Sequence, residues 1–263
     1  MEINVLDKNG EKKVTASGSN RVDLVYTGRY KKGDYIELNV SVPGFYEVCF
    51  EDTMPPALLY ILGKAVFAIP FGRMNRVPYN PRSFKGYQHL LYARKACPEQ
   101  IYKRRNLALN PYDQDVDTGA FPHAAASTQT RGEALFAARN AIDGVFTNSG
   151  HFPWPYQSWG INKDPDAVLN IEFGIPVVVD EIILTLRADY PHDSYWTSAT
   201  IEFSDGSRET FALQKSAKPQ CFAISPRVIT FLELKELIKA EDKSPFPALT
   251  QIEVWGIVKG GTV

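Results

Sequence analysis

The sequence predicts an all-β protein built from two β-sandwich domains, residues 1–104 and 105–263. Three observations carry this reading. Apolar and polar residues alternate with a period of two, as in YIELNVSV, where Ile36, Leu38, Val40 and Val42 share one face; this is the pattern of antiparallel strands buried on one side. Turn signals separate such segments at short intervals, among them Lys-Gly-Asp at 32–34, Pro-Gly at 43–44, Asp-Gly at 143–144 and Asp-Gly-Ser at 205–207. Helical periodicity is scarce.

In chain order, MEINVLDKNG begins a strand, YIELNVSV follows, and FYEVCF takes Cys49 as a small hydrophobe. Strand density falls between 98 and 130, a polar stretch that sets the boundary near residue 105. NLALNPYDQ then opens the second block, and GEALFAARNAID predicts one short helix. AVLNIEF places Leu169, Ile171 and Phe173 on one face, and TSATIEF does the same with Ala199, Ile201 and Phe203. Asp205-Gly206, between IEFS and ETFAL, predicts a hairpin. FLELKELIKAED fits a helix or a strand equally well.

Composition bounds the partners. Lys plus Arg (29) nearly cancels Asp plus Glu (30), so no global field draws the chain to nucleic acid or to an anionic membrane. Short basic clusters such as Lys31-Lys32 and Lys103-Arg104-Arg105 read as solvated surface. The longest apolar run, ALLYILGKAVFAIPF, contains Lys64 and Pro70 and is too short to span a bilayer. Cys49, Cys97 and Cys221 are odd in number, far apart and form no CxxC pair, which predicts reduced core thiols and neither a disulfide framework nor a zinc knuckle. As written, the chain opens with no charged-then-apolar leader, which predicts a cytoplasmic protein, or a secreted one if a leader has been trimmed.

Two segments carry more polar and aromatic chemistry than a turn requires. SGHFPWPYQSWG holds His151, Trp154, Tyr156 and Trp159; DYPHDSYW holds Asp189, His192, Asp193, Tyr195 and Trp196, with Arg187 ending the strand before it. An aromatic ring can cover the apolar face of a sugar while polar groups at its edge read the hydroxyls, and loops held by rigid strands are where binding concentrates. Trp154, between Pro153 and Pro155, cannot sit in a central ladder, so it is the expected stacking platform. His151, Tyr156, Arg187, Asp189, His192, Asp193 and Trp196 are the remaining expected ligand contacts. Trp159, followed by glycine, and Trp255, at a strand end, read as packing. Histidines also accompany the aromatic-proline pairs at 121–123, 151–155 and 190–193, but no pair of His123, His151 and His192 has a metal-binding spacing.

From about residue 105 to 258 an ordered set of motifs resembles the discoidin (coagulation factor type C) and family 32 carbohydrate-binding-module superfamily. NLALN resembles its opening strand and AAASTQT its small-residue segment. RNAIDG, with Thr147 and Asn148 after it, resembles its Asp-Gly loop; SWG and AVLNIEFGIPVVVDEIIL resemble the tryptophan and strand pair, and TQIEVWG the closing strand. The resemblance implies a galactose-binding-like jelly-roll sandwich, with the two aromatic loops near one another at one end. It also implies a structural calcium held by Asp143, the carbonyls of Asn140 and Val145, an oxygen of Thr147 or Asn148, and a group from the last strand. There the family usually has glutamate; this chain has Gln251, with Glu253 two residues on along the same face. A neutral amide oxygen lowers the ligand charge and so the expected affinity. Residues 1–104 read as a second sandwich of no assigned family.

The function expected first is non-catalytic recognition of a glycan by loops of the second sandwich. An enzyme acting on a sugar or sugar acid between the domains, or a protein-interaction module using the same loops, are the other two classes. The chain has no GxSxG, HExxH, phosphate-loop or dinucleotide motif.

Overall fold

A computed structural model describes residues 1–150, 152–188 and 194–260. Its first part is built from β1 (Glu2–Leu6), β2 (Lys12–Ser17), β3 (Arg21–Thr27), β4 (Tyr35–Asn39), β5 (Gly44–Cys49), β6 (Ala57–Ile61), β7 (Lys64–Ala68) and β8 (Gln88–Lys95). One sheet runs β2-β1-β4-β7 and the other β6-β5-β8-β3, all antiparallel. Period-two alternation aims Ile3, Val5, Ile36, Leu38 and Phe67 from the first sheet at Leu24, Val48, Leu59 and Leu91 from the second, in one core. The short helix α1 (Arg73–Arg76) lies between β7 and β8, and α2 (Pro98–Tyr102) follows β8.

The second part comprises β9 (Arg105–Asn106), β10 (Ala120–Phe121), β11 (His123–Ala126), β12 (Trp159–Gly160), β13 (Leu169–Leu186), β14 (Trp196–Phe203), β15 (Arg208–Ala212), β16 (Gln220–Lys239) and β17 (Ala248–Val258). β10 extends the first sandwich by pairing with β6, and Tyr112 and Ala120 belong to that core. The other strands form one sheet in the order β12-β17-β13-β16-β14-β15, with β11 on β13 and β9 on β17. The early part of β13 pairs with β11 and the later part of β16, its later part with β17 and the start of β16. Between them the register shifts and Gly174 takes a positive φ of 72°. A Cβ there would meet the Phe121 ring at 2.6 Å, so glycine alone suits the bend. The sheet thereby wraps a single core that includes Trp159, Trp196, Phe203 and Leu234.

The structure is all-β, and helix is confined to single turns. Asp205-Gly206 closes the β14–β15 hairpin, with Gly206 at φ 81°. Four details differ from the sequence reading or decide what it left open. In place of one helix, GEALFAARNAID forms two short 3-10 turns, Ala134–Phe136 and Ala138–Ile142, preceded by a third at Thr130–Gly132. FLELKELIKAED belongs largely to β16. Val42 is exposed beyond the end of β4, and of the three free cysteines only Cys49 is buried. Among the described residues no helix is long and apolar enough to cross a membrane.

Candidate functional site

A cleft of about 740 Å³ lies on the second sandwich, bounded by Thr130–Arg131, Leu135–Phe136, Gly160, Arg187, Lys215 and residues 242–248. Arg187 follows β13 and is 3% exposed; its Nη1 donates to Tyr156 O and Ser158 Oγ, both at 3.2 Å, which fixes the guanidinium against the 156–158 segment. Phe136 and Phe246 supply aromatic wall, Phe246 being 42% exposed between Pro245 and Pro247. Asp242 is committed within the protein, accepting from Ser194 Oγ at 2.8 Å and Lys239 Nζ at 3.1 Å. Arg131 is paired with Glu133. Lys215 and Lys243 form no ion pair among the described residues, so the described lining of the cleft carries a positive excess.

Of the expected ligand contacts, Arg187 lines this cleft and Tyr156 touches Arg187 through its carbonyl. Trp154 does not join them. Its N–H donates to Val77 O at 2.9 Å, and it lines a separate cleft of about 540 Å³ with Phe71, Arg73, Arg76 and Phe84 from the first part of the chain. Trp196 is a correction: it is 1% exposed and packs 6.4 Å from Trp159, so it is core and presents no surface to a ligand. Its place at the start of β14 points it inward. His151, Asp189, His192 and Asp193 lie outside the described residues. Phe246 was missed by the sequence reading, although an aromatic between two prolines is the signal that singles out Trp154.

The Asp-Gly loop is tightly closed. Asp143 Oδ1 accepts from Val145 N at 2.8 Å and from Gln251 Nε2 at 2.9 Å, and Oδ2 accepts from Gln157 Nε2 at 2.7 Å. Asn140 O at 2.6 Å and Thr250 O at 2.7 Å also crowd Gln251 Nε2, so its two N–H bonds are shared among three oxygens, while its Oε1 accepts from Gly144 N at 2.9 Å. Burial raises the Asp143 pKa to about 6, opposed by the charge of buried Arg139 and by these hydrogen bonds. The expected calcium ligands therefore do not fit a cation in this arrangement. Asn140 O and Asp143 are already engaged by an amide nitrogen, and Val145 turns its N–H to the carboxylate. Asn148 directs its Nδ2 away, to Leu186 O and Ala217 O. Thr147 lies half-buried in the following loop, and Glu253 accepts from the Trp255 indole at 3.0 Å.

His123 stands apart from both clefts. Its Nδ1 donates to Asp113 Oδ1 at 2.8 Å, and Asp113 Oδ2 accepts from Ala124 N at 2.8 Å. The bond to Asp113 raises the His123 pKa above the usual imidazole value, against burial. A raised value means the folded chain holds the proton more tightly than the unfolded one. That contribution to stability is complete below about pH 6.5 and is lost as pH rises through the folded value. The melting temperature is expected to decline on the alkaline side of pH 6.5, and the slope to flatten in His123→Gln. Equal slopes in the two proteins contradict this.

No family model matches the sequence, and no curated protein matches it. Among solved structures the chain is similar to chitosan-binding module 1 derived from a chitosanase/glucanase of Paenibacillus sp. IK-5, with 20% identity over 58% of this chain and 99% of that one and a TM-score of 0.41. It is also similar to the family 32 carbohydrate-binding module of C. perfringens NanJ in complex with galactose, with 18% identity, 50% and 91% coverage and a TM-score of 0.39. A Streptococcus pneumoniae fucose binding module, SpX-3, matches with 14% identity, 57% and 95% coverage and a TM-score of 0.41.

Proposed function

We propose that this protein is a non-catalytic carbohydrate-binding protein and that the glycan sits in the cleft between Phe246, Arg187, Lys215 and Lys243. One observation carries the reading: an exposed aromatic ring and a buried, fixed guanidinium open onto the same concave surface of the second sandwich. A sugar needs both an apolar plane for its C–H face and rigid polar donors at its edge. Lys215 and Lys243 favour a glycan bearing a carboxylate or sulfate, since Asp242 and Arg131 already have partners within the protein. The motifs of residues 105–258 support the same class. Losing an exposed platform of this kind is expected to weaken binding about tenfold or more, or roughly 1.4 kcal/mol per tenfold.

Isothermal titration with neutral and acidic oligosaccharides tests this. Phe246→Ala is expected to lose about tenfold in affinity with the fold intact, and Trp154→Ala to bind as the wild type. The double variant Lys215→Ala/Lys243→Ala should lose affinity for acidic glycans and their salt dependence together. Wild-type affinity in Phe246→Ala for every glycan bound overturns the assignment.

A further inference from the structure

The Gln251 side chain is placed like an ion. Its Nε2 lies 2.6 Å from Asn140 O, 2.7 Å from Thr250 O and 2.9 Å from Asp143 Oδ1, so three oxygens from two distant parts of the chain converge on one amino group and share its two N–H bonds. The orientation of the amide is determined by chemistry. Turning it over would set Nε2 against Gly144 N–H, donor to donor, and Oε1 against the Asn140 carbonyl, acceptor to acceptor. Arg139, 5% exposed, supplies positive charge to the Asp143 carboxylate: it is fixed by Asp113 O at 2.7 Å, Pro111 O at 3.0 Å and Asn140 Oδ1 at 3.0 Å. We propose that the Gln251 amide, assisted by Arg139, does the work of a cation in this loop, so that the tie between residues 140–145 and β17 is permanent and independent of metal.

The physical difference from a metal site is one of linkage. A cation stabilises the fold by mass action and is removed by a chelator, whereas a covalently attached amide has no free concentration. One oxygen is available for the opposite outcome: Gln157 Oε1 is buried without a hydrogen-bond partner among the described residues.

The experiment is thermal melting of the full chain in chelator and in millimolar calcium. The wild type is expected to melt at the same temperature in both. Gln251→Met, which keeps the bulk and removes the donors, is expected to melt several degrees lower in both. Gln251→Glu sets a second carboxylate beside Asp143 in place of the donor; it should be destabilised in chelator and regain stability with calcium. A wild-type melting temperature that falls in chelator and recovers with calcium overturns the proposal, whether or not the variants fold. Gln251→Met melting like the wild type overturns it as well, and so does a Gln251→Glu protein indifferent to calcium.

Discussion

Arg139→Met is expected to lower the free energy of unfolding by about 3–5 kcal/mol, the range for removing one member of a buried charged network. Methionine roughly keeps the volume, so a cavity does not enter. Three acceptors lose their donor: Asp113 O, Pro111 O and Asn140 Oδ1. The guanidinium also lies 4.6 Å from the centre of the Tyr79 ring, a member of the first core, while Arg139 itself sits beneath β17 in the second part. Its loss therefore strikes both halves and strands the Asp143 carboxylate without a nearby positive charge. Arg139→Lys should restore only part of the loss, since a single ammonium cannot span three acceptors set for a planar fork. Urea unfolding monitors this directly, and a change under about 1 kcal/mol in Arg139→Met contradicts the account.

Trp159→Ala is expected to cost a similar 3–5 kcal/mol, as for other large-to-small changes at fully buried aromatics. Trp159 is completely enclosed, donates its indole N–H to Thr128 O at 3.1 Å and packs on Trp196. Because the two rings touch, Trp159→Ala and Trp196→Ala should combine with less than the sum of their effects. Trp154→Ala, on a half-buried loop, should change stability by well under half as much. Equal losses for Trp154 and Trp159 would show that the sandwich core lies elsewhere.

The elements legible in the sequence are those whose signal is local. Alternation in β4 and at the start of β13 and the Asp205-Gly206 turn are set by neighbours in the chain, and Trp159 followed by glycine reads correctly as core. FLELKELIKAED was ambiguous for a physical reason. Glu236 takes φ 51° and the register against β14 shifts there, so the buried residues run Leu232, Leu234, Leu237 and the period of two breaks. GEALFAARNAID looks helical by composition, but Gly132 takes a positive φ and the buried side chains of Arg139 and Asn140 bond to loop carbonyls. The resulting turns serve those contacts more than a regular ladder.

The candidate site was legible only in part. Arg187 stands out at the end of an apolar strand. Trp154 stands out in the sequence by its flanking prolines, yet the surface it faces comes from Phe71 to Lys85, far away in sequence. Trp196 carried the same aromatic signal as a loop residue and went to the core, because burial depends on which way the first residue of β14 points. At Gln251 the sequence shows an amide; that its nitrogen and not its oxygen faces Asp143 follows from Gly144 N–H, a contact across 107 positions.

The most direct test of the central claim is an amide shift map of isotope-labelled protein titrated with the glycans that bind, acidic and neutral. Binding in the cleft of the second sandwich predicts that the amides of Gly160, Arg187, Ser244 and Phe246 move together and saturate with one dissociation constant, while Gly72, Val77 and Trp154 stay still. Shifts confined to Gly72, Val77 and Trp154, or no saturable shift with any glycan at millimolar concentration, would contradict it.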